Sequence, residues 1–197
     1  MHGNPPGSLR NKSDLRTAIR LRTTSMTSEV RAAESERLCA RVVGLPEWKN
    51  ARSLAGFCAR RDEPDLRWVL EAAWTEAKVL VLPAFEPGSG AYLLRRVSGP
   101  GDLVSGRFNL LEPAPTCPVV PVESLDLALV PGICFSPEGG RLGRGKGFYD
   151  RMLHPFRGIC CGVGFDFQIE PFVPMESHDV PMQLVLTPSF LWRPARG

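Results

Sequence analysis

Short apolar runs alternate with amphipathic segments along this chain, and each kind of pattern predicts a different element. Two segments near the start have helical spacing: one from about Leu9 to Thr24, and one after an N-cap at Ser28 and before Gly44. Further helices are predicted over 66–77 and from about Phe148. The apolar runs predict strands over 53–58, 78–83, 91–97, 126–135, 158–165 and 184–187.

Strands and helices in alternation predict an α/β fold. The segment Lys78–Pro83 is continuously apolar after its lysine, and such runs are typical of parallel strands that are buried on both faces. We therefore expect a single three-layer α/β/α domain with a mostly parallel sheet over residues 9–197, after a flexible tail at residues 1–8. The stretch Ser98–Val122 is rich in Pro and Gly and has no clear period, so we expect an ordered excursion from the sheet.

Composition and charge narrow the class of protein. Of the 197 residues, 43% are hydrophobic and 23% are charged, which excludes disorder as the overall state. A net charge of +3 is too small to indicate nucleic acid or an anionic membrane as a partner. The sequence has neither a run of ~20 apolar residues nor a secretory type of apolar stretch in its first residues. We therefore expect a cytoplasmic protein without nucleic-acid or membrane partners, and a monomer rather than an oligomer.

The six cysteines and three histidines carry little chemistry. The cysteines form no CxxC pair, most of them lie in apolar runs, and no zinc-ligand spacing occurs. We expect reduced, mostly structural thiols, with the neighbours Cys160 and Cys161 on opposite faces of a strand. A metal site in this chain would therefore depend on carboxylates and would favour a hard ion such as Mg²⁺.

The segment RLGRGKGFYD, residues 141–150, is the strongest candidate for chemistry. Glycines allow the backbone to approach a ligand closely and to adopt positive φ, so that successive N–H groups converge on an anion. A predicted strand precedes the loop, and the N-terminus of the predicted helix after it adds positive potential. The pattern therefore predicts a polyphosphate site, although it is neither a Walker A sequence nor a Rossmann fingerprint. The central residues of the loop are Gly143, Arg144, Gly145, Lys146 and Gly147.

The residues of this loop also allow plainer interpretations. A few glycines among cations are equally typical of a flexible basic surface loop. Asp150, in the first turn of the predicted helix, either stabilises the helix dipole or holds Mg²⁺ against the phosphates.

The longer stretch PGICFSPEGGRLGRGKGFYDRML resembles the signature of the 5-formyltetrahydrofolate cyclo-ligases, also called methenyltetrahydrofolate synthetases. Weaker agreement extends from a Lys-x-x-x-Arg pair in the first helix through Glu-Pro-Asp after the first strand to His-Asp near the end. The resemblance implies a fold similar to that of sugar-phosphate isomerases and CoA transferases. It also implies an enzyme that uses ATP and Mg²⁺ to convert 5-formyltetrahydrofolate, a reduced folate, to 5,10-methenyltetrahydrofolate, ADP and phosphate.

In the reaction that the resemblance implies, the formyl oxygen attacks the γ-phosphate of ATP. N10 then attacks the activated formyl carbon, and phosphate leaves. Phosphoryl transfer of this kind requires positioning and neutralisation of charge. The implied catalytic residues are Arg144 and Lys146, as electrostatic stabilisers. The implied Mg²⁺ ligands are Asp150 and Asp179.

The resemblance also implies which residues bind the two substrates. Glu63 matches a carboxylate that accepts hydrogen bonds from the amino-pyrimidinone edge of the pterin, and Phe108 matches an aromatic residue that stacks on it. Cys58 and Tyr149 match further positions of the folate pocket. The implied nucleotide contacts are Lys12, Arg16, Arg141, Leu142, Gly143, Arg144, Gly145, Lys146, Gly147, Phe148 and Tyr149.

Several of these residues have plainer explanations when each is taken alone. Lys12 and Arg16 would suit a solvated basic stripe. Glu63 would suit an exposed loop acid, and Cys58 and Phe108 would suit the core.

The chain departs from the family pattern at four positions. These departures affect the predicted preference for folate and leave the predicted phosphate site intact. Phe148 replaces a Tyr, Leu66 a Thr, Ala84 a residue that is often basic, and Gln183 an Asp. The alternatives to a cyclo-ligase are a relative that binds Mg·ATP but acts on another substrate, and a non-catalytic module that binds anions or nucleic acid.

Overall fold

The computed structural model describes residues 11–106 and 110–195 and shows a seven-stranded sheet with helices against both faces. The helices are α1 (Lys12–Thr24), α2 (Ser28–Gly44), α3 (Pro46–Asn50), α4 (Arg67–Thr75) and α5 (Phe148–Leu153). The strands are β1 (Ser53–Ala55), β2 (Val79–Glu86), β3 (Ala91–Val97), β4 (Leu103–Ser105), β5 (Leu111–Pro113), β6 (Leu127–Pro131), β7 (Cys134–Phe135), β8 (Arg141–Leu142), β9 (Ile159–Val163), β10 (Leu184–Leu186) and β11 (Leu191–Trp192). Two predictions lie outside the described residues: the flexible tail at residues 1–8, and Phe108 as the aromatic residue that stacks on the pterin.

The large sheet has the order β11-β10-β9-β6-β1-β2-β3 and is mostly parallel, as predicted. Leu54 of β1 pairs with Leu80 of β2 on one side and with Leu127 of β6 on the other, parallel in both cases. β9 and β10 continue the parallel part, whereas the edge strands β3 and β11 run antiparallel to their neighbours. The α/β prediction is therefore confirmed. The narrower likeness to sugar-phosphate isomerases and CoA transferases stays a prediction.

Two apolar cores, one on each face of the sheet, produce the three layers. On one face, Val42 of α2 and Val69 of α4 pack in a cluster with Leu54. On the other face, Leu153 of α5 packs in a cluster with Val130 of β6. Burial of each such side chain contributes about 1.5–3 kcal/mol, so both faces stabilise the sheet. None of the helices in the described part of the chain is long and apolar enough to cross a bilayer.

The neighbouring Cys160 and Cys161 of β9 belong to different cores, which confirms their predicted opposite orientation. All six cysteines are free thiols, as expected. Burial raises the pKa of the Cys160 thiol to about 12, so this thiol is protonated at neutral pH and packs as a small apolar group.

The prediction of one strand over 126–135 is wrong. β6 ends at Pro131, and Cys134–Phe135 then forms β7 in a separate two-stranded sheet with β8. The physical reason is local, because Pro131 has no N–H to donate to a ladder. At Gly132, moreover, a Cβ would lie 2.7 Å from the Phe135 ring, so the close turn requires a glycine. The glycine-rich loop therefore follows the β7–β8 hairpin and not the buried strand itself.

Other element ends differ from the predicted ones by a few residues. β2 continues past Pro83 to Glu86 because it pairs with β3 as far as that residue. The N-cap of α2 is Thr27, whose Oγ1 accepts a hydrogen bond from the Val30 N–H, and Gly44 is the last helical residue. The excursion is ordered where it is described, since β4 and β5 pair antiparallel in it.

The order of the strands determines where a ligand can bind. The chain connects β1 to β2 on one side and reaches β6 on the other side of β1. In α/β sheets, such a reversal opens a crevice at the carboxyl ends of the two strands that flank it. The crevice here lies next to Ala55 and Pro131, the last residues of β1 and β6.

α1 and the β7–β8 hairpin form a third apolar cluster, in which Leu15 and Leu142 are buried.

Candidate active site

A pocket at the carboxyl ends of β1 and β6 brings most of the predicted site residues together. About 920 Å³ of empty space, which includes open solvent, lies between its walls, and we call it the central pocket. Its walls come from residues 57–58, 60, 63, 83, 92, 110–112, 131–132, 141, 143–144, 146–150 and 152. The predicted site residues among them are Cys58, Glu63, Arg141, Gly143, Arg144, Lys146, Gly147, Phe148, Tyr149 and Asp150.

A second cleft, the side cleft, lies next to the glycine-rich loop. Because Lys146, Gly147 and Asp150 line both spaces, the loop borders the central pocket and the side cleft at once. The side cleft is lined by Gly145, Lys146, Gly147, Asp150, Arg151, His154 and His178.

The glycine-rich loop, residues 143–147, has the backbone that its sequence predicts. Gly145 and Gly147 have φ values of +96° and +61°, in the left-handed region that favours glycine. At Gly143, a Cβ would lie 3.2 Å from Nη1 of Arg141. The following helix, α5, is only six residues long, so its dipole adds less positive potential than the sequence led us to expect.

Arg141 is a buried guanidinium that connects three elements. Its Nη1 donates to the Pro131 carbonyl at 3.3 Å, and its Nη2 donates to Asp150 Oδ1 at 2.5 Å. These contacts join β8 to the end of β6 and to α5. Nε of Arg141 is buried and has no hydrogen-bond partner among the described residues, so this wall of the pocket holds one unsatisfied donor. Direct contact between Arg141 and a nucleotide stays a prediction.

Arg144 pairs with two carboxylates that follow β1. Its Nη2 donates to Asp62 Oδ1 at 2.7 Å and to Glu63 Oε1 at 2.8 Å. Burial opposes the charged form of Arg144, but the acidic neighbours outweigh this effect and raise its pKa. Burial likewise opposes the charge on Asp62, and Arg144 nevertheless lowers the pKa of that carboxyl. Arg144, which the sequence predicts to bind phosphate, therefore contacts Glu63, which the sequence predicts to bind the folate.

Lys146 is the most available cation of the site. Its side chain is exposed and lines both the central pocket and the side cleft. Arg141 and Arg144 are paired with carboxylates, whereas the Lys146 ammonium forms no ion pair with any residue that the structure describes. An anionic ligand on the loop would meet this charge without competition from a protein carboxylate.

α1 supplies two half-buried cations to the edge of the site. Lys12 Nζ donates to Asp179 Oδ2 at 2.7 Å and to Glu176 Oε1 at 2.8 Å, and Arg16 Nε donates to the Gly143 carbonyl at 3.1 Å. Burial opposes the charge on Lys12, but these acids outweigh it and raise its pKa. Both side chains are thus half-buried and hydrogen-bonded to segments distant in sequence, and their contact with a nucleotide stays a prediction.

The predicted folate residues that the structure describes, Cys58, Glu63 and Tyr149, line the central pocket. Glu63 is only 5% exposed, so the alternative of an exposed loop acid is wrong. Its Oε2 accepts a hydrogen bond from the Arg60 N–H at 2.9 Å. Burial raises the pKa of the Cys58 thiol to about 11, so Cys58 presents a neutral surface. Burial also raises the pKa of the Tyr149 hydroxyl, which is therefore protonated at neutral pH.

The donors available for Mg²⁺ fit an ion that arrives with phosphate. Asp150 and Asp179 are held by Arg141 and Lys12, and no group of three or more metal-binding side chains occurs within the described residues. Mg²⁺ commonly binds one or two protein carboxylates, substrate phosphates and water, so two carboxylates suffice. The metal role of both residues stays a prediction.

Two residues of the site were missed at the level of sequence. Asp62 adds a second carboxylate to Arg144. Arg31 of α2 donates from Nε and Nη2 to the Glu63 carbonyl and from Nη2 to the Arg60 carbonyl, at 2.9–3.1 Å. Neither residue has a sequence signal of its own, because each acts through a partner that is distant in sequence.

We expect Arg31→Ala to destabilise the protein by about 1–3 kcal/mol, because the Glu63 carbonyl loses both guanidinium hydrogen bonds and the Arg60 carbonyl keeps only the Glu63 N–H. Chemical unfolding measures the difference. Arg37→Ala, which removes an exposed pair with Glu34, is the matched control and should cost less than about 0.5 kcal/mol. Equal losses in both variants would contradict the role of Arg31 as the anchor of this loop.

Together, the fold and the pocket define an α/β enzyme in which a buried carboxylate faces a cationic, glycine-rich loop. The chain belongs to the 5-formyltetrahydrofolate cyclo-ligase family, whose model matches residues 8–188. The resemblance seen in the sequence is therefore confirmed.

Individual relatives agree with this assignment over most of their length. A 5-formyltetrahydrofolate cyclo-ligase of Mycolicibacterium smegmatis is 34% identical over 187 residues, which cover 91% of this chain and 94% of the relative. A protein of the same name from Escherichia coli K12 is 31% identical over 179 residues, or 88% of this chain and 98% of the relative. The NMR structure of the 5,10-methenyltetrahydrofolate synthetase of Aquifex aeolicus matches with a TM-score of 0.84 at 33% identity and covers 94% of each chain.

Proposed function

We propose that this protein is a cyclo-ligase that converts 5-formyltetrahydrofolate and ATP to 5,10-methenyltetrahydrofolate, ADP and phosphate. The names of its relatives support this activity. The observation that carries the proposal is that the buried Glu63 and the cationic loop with Lys146 line the same pocket. A folate and the terminal phosphate of a nucleotide would therefore meet in one space.

On the folate side, Glu63 would accept hydrogen bonds from the amino-pyrimidinone edge of the pterin. Its near-complete burial supports this role, because a charge-assisted hydrogen bond is strong where water is excluded. Cys58 and Tyr149 would line the folate as neutral groups, and Phe108 is assigned to the pterin by resemblance. The folate is the proposed substrate and partner of the pocket.

On the nucleotide side, the phosphates would bind main-chain N–H groups of the glycine-rich loop and the side chain of Lys146. Arg144, Lys12 and Arg16 would add positive charge at the edges of the site. Asp150 and Asp179 would hold Mg²⁺, which supplies further neutralisation of phosphate charge when it is bound. The remaining loop contacts would be Leu142, Phe148 and Tyr149.

The chemistry requires positioning more than acid–base catalysis. The formyl oxygen forms a bond to the γ-phosphorus as the bond to ADP breaks. N10 then forms a bond to the formyl carbon, its proton passes to solvent, and the bond from that carbon to the phosphate oxygen breaks as phosphate leaves. Glu63 would hold the pterin so that the formyl oxygen lies in line with the phosphate. Lys146 and Arg144 would neutralise charge on the transferred group.

The direct test is spectrophotometric. The purified protein with 5-formyltetrahydrofolate, ATP and Mg²⁺ should produce the absorbance of the methenyl product, and omission of ATP should abolish the signal. Binding of ATP without this absorbance would instead indicate a relative with another substrate. Binding of an oligonucleotide with steep salt dependence would indicate a nucleic-acid module.

We also propose a cytoplasmic monomer without nucleic-acid or membrane partners.

We expect Glu63→Gln to raise the KM for the folate by roughly 10- to 100-fold, because an ionised acceptor becomes a neutral amide. The KM for ATP should change by less than about twofold, because Lys146 and the glycine backbone are unchanged and Arg144 keeps its contact with Asp62. Steady-state kinetics with each substrate varied separately measures both values. Glu123→Gln, an exposed acid outside the pocket, is the control. An unchanged KM for the folate would remove Glu63 from the proposed pterin contact.

A further inference from the structure

One nitrogen of Arg144 is shared between two carboxylates at the mouth of the central pocket. Nη2 lies 2.7 Å from Asp62 Oδ1 and 2.8 Å from Glu63 Oε1. The side chain of Glu63 is 7% exposed, whereas those of Asp62 and Arg144 are 34% and 36% exposed. Asp62 and Arg144 can therefore shift at the surface while Glu63 stays in place.

Glu63 is held rigidly by its own loop. Its Oε2 accepts from the Arg60 N–H, and its carbonyl accepts two hydrogen bonds from the Arg31 guanidinium. The outer oxygen, Oε1, has Arg144 as its donor. A ligand that donates to this carboxylate from within the pocket would compete with Arg144 for Oε1, because the buried side chain cannot turn to offer another face.

We propose that Asp62 is a positioning residue that retains Arg144 when the folate engages Glu63. This inference rests on the proposed function, since it takes the pterin edge as the ligand of Glu63. Without the Asp62 carboxylate, Glu63 would be the sole acidic partner of Arg144 in this contact. The folate would then have to break that ion pair without compensation, and it would bind more weakly.

The geometry allows this exchange without movement of the loop backbone. A guanidinium has five N–H donors, and the contacts to Asp62 and Glu63 use Nη2 alone. Arg144 on Asp62 would keep its other donors for the oxygens of the transferred phosphate. Asp62 and Glu63 are adjacent in sequence, so Arg144 changes partners within one carboxylate pair.

Calorimetric measurement of the affinity for 5-formyltetrahydrofolate, in the absence of ATP, tests the proposal. Asp62→Asn should weaken binding by roughly tenfold, and Asp62→Glu, which keeps the charge, should restore most of it. In the Arg144→Ala background, Asp62→Asn should have no further effect, because no ion pair is left to compete with the folate. The exposed Glu36 of α2 supplies the control, Glu36→Gln, which should bind as the wild type does.

A purely structural role of the pair predicts a different result. Partly exposed ion pairs typically contribute about 0–1 kcal/mol, so Asp62→Asn would then leave folate affinity unchanged or lower it equally with and without Arg144. Either result would overturn the proposal. Measurement of turnover separates this outcome from failure of the proposed function. If the wild type forms the methenyl product and Asp62→Asn binds the folate as well as the wild type does, only the role of Asp62 is refuted. A wild type that neither binds nor converts the folate would overturn both.

Discussion

Lys146→Ala is expected to reduce methenyl formation by about a thousandfold in a protein that still folds. The reason is electrostatic. Lys146 is the exposed loop cation that forms no ion pair with a described residue, whereas Arg144 is paired with Asp62 and Glu63. Loss of its charge would leave the transferred phosphate without its most available neutralising group. The absorbance assay at saturating ATP and folate measures the rate.

Two controls make this result specific. Lys49→Ala removes an exposed ammonium on α3, outside both clefts, and should leave the rate unchanged. Thermal unfolding of Lys146→Ala should match the wild type within about 1 °C, because an exposed side chain contributes little to stability. Wild-type turnover by a folded Lys146→Ala protein would remove this residue from the catalytic site.

Arg141→Met is expected to cause the largest loss of stability, about 3–5 kcal/mol. The Arg141 side chain is 3% exposed and that of Asp150 is 14% exposed, so the substitution leaves a largely buried carboxylate without its cation. It also removes a donor from the Pro131 carbonyl and separates β8 from β6 and α5. Since 1 kcal/mol corresponds to roughly 2–4 °C in a chain of this length, Tm should fall by at least about 6 °C.

An exposed ion pair provides the comparison for Arg141. Arg67→Met breaks the ion pair between Arg67 and Asp65. Because the Arg67 side chain is 67% exposed, the substitution should lower the free energy of unfolding by at most about 1 kcal/mol. Adding Asp150→Asn to Arg141→Met should recover part of the lost stability, because it removes the uncompensated charge. Similar losses for Arg141→Met and Arg67→Met, measured by thermal and chemical unfolding, would show that burial does not strengthen the Arg141 contact.

The pattern of apolar positions was sufficient to predict the class of fold. Runs such as Val79–Leu82 are apolar at every position because both faces of a parallel strand are covered, and this signal is local. The boundaries were less accurate. The apolar run 126–135 hides the break at Gly132, since the constraint comes from the Phe135 ring packed against that glycine.

The composition of the glycine-rich loop predicted its backbone but not its charge pairing. Gly145 and Gly147 adopt positive φ, as their residue type allows. The partners of the loop cations were not predictable, because Asp62 and Glu63 are 82 and 81 residues away from Arg144 along the chain. Separation in sequence also hid Asp62, which is 82 residues from Arg144, and Arg31, which is 32 residues from Glu63.

The sequence by itself determined the alternation of strands and helices, the glycine positions of the loop and, through a long ungapped motif, the family. These properties depend on residue type and on neighbours close in the chain. Only the tertiary structure decided that Glu63 is buried, that Arg141 is held by Asp150, and that Lys146 forms no ion pair with a described residue. Burial and ion pairing depend on which distant segments meet, and the reversal of strand order between β1 and β6 brings them together.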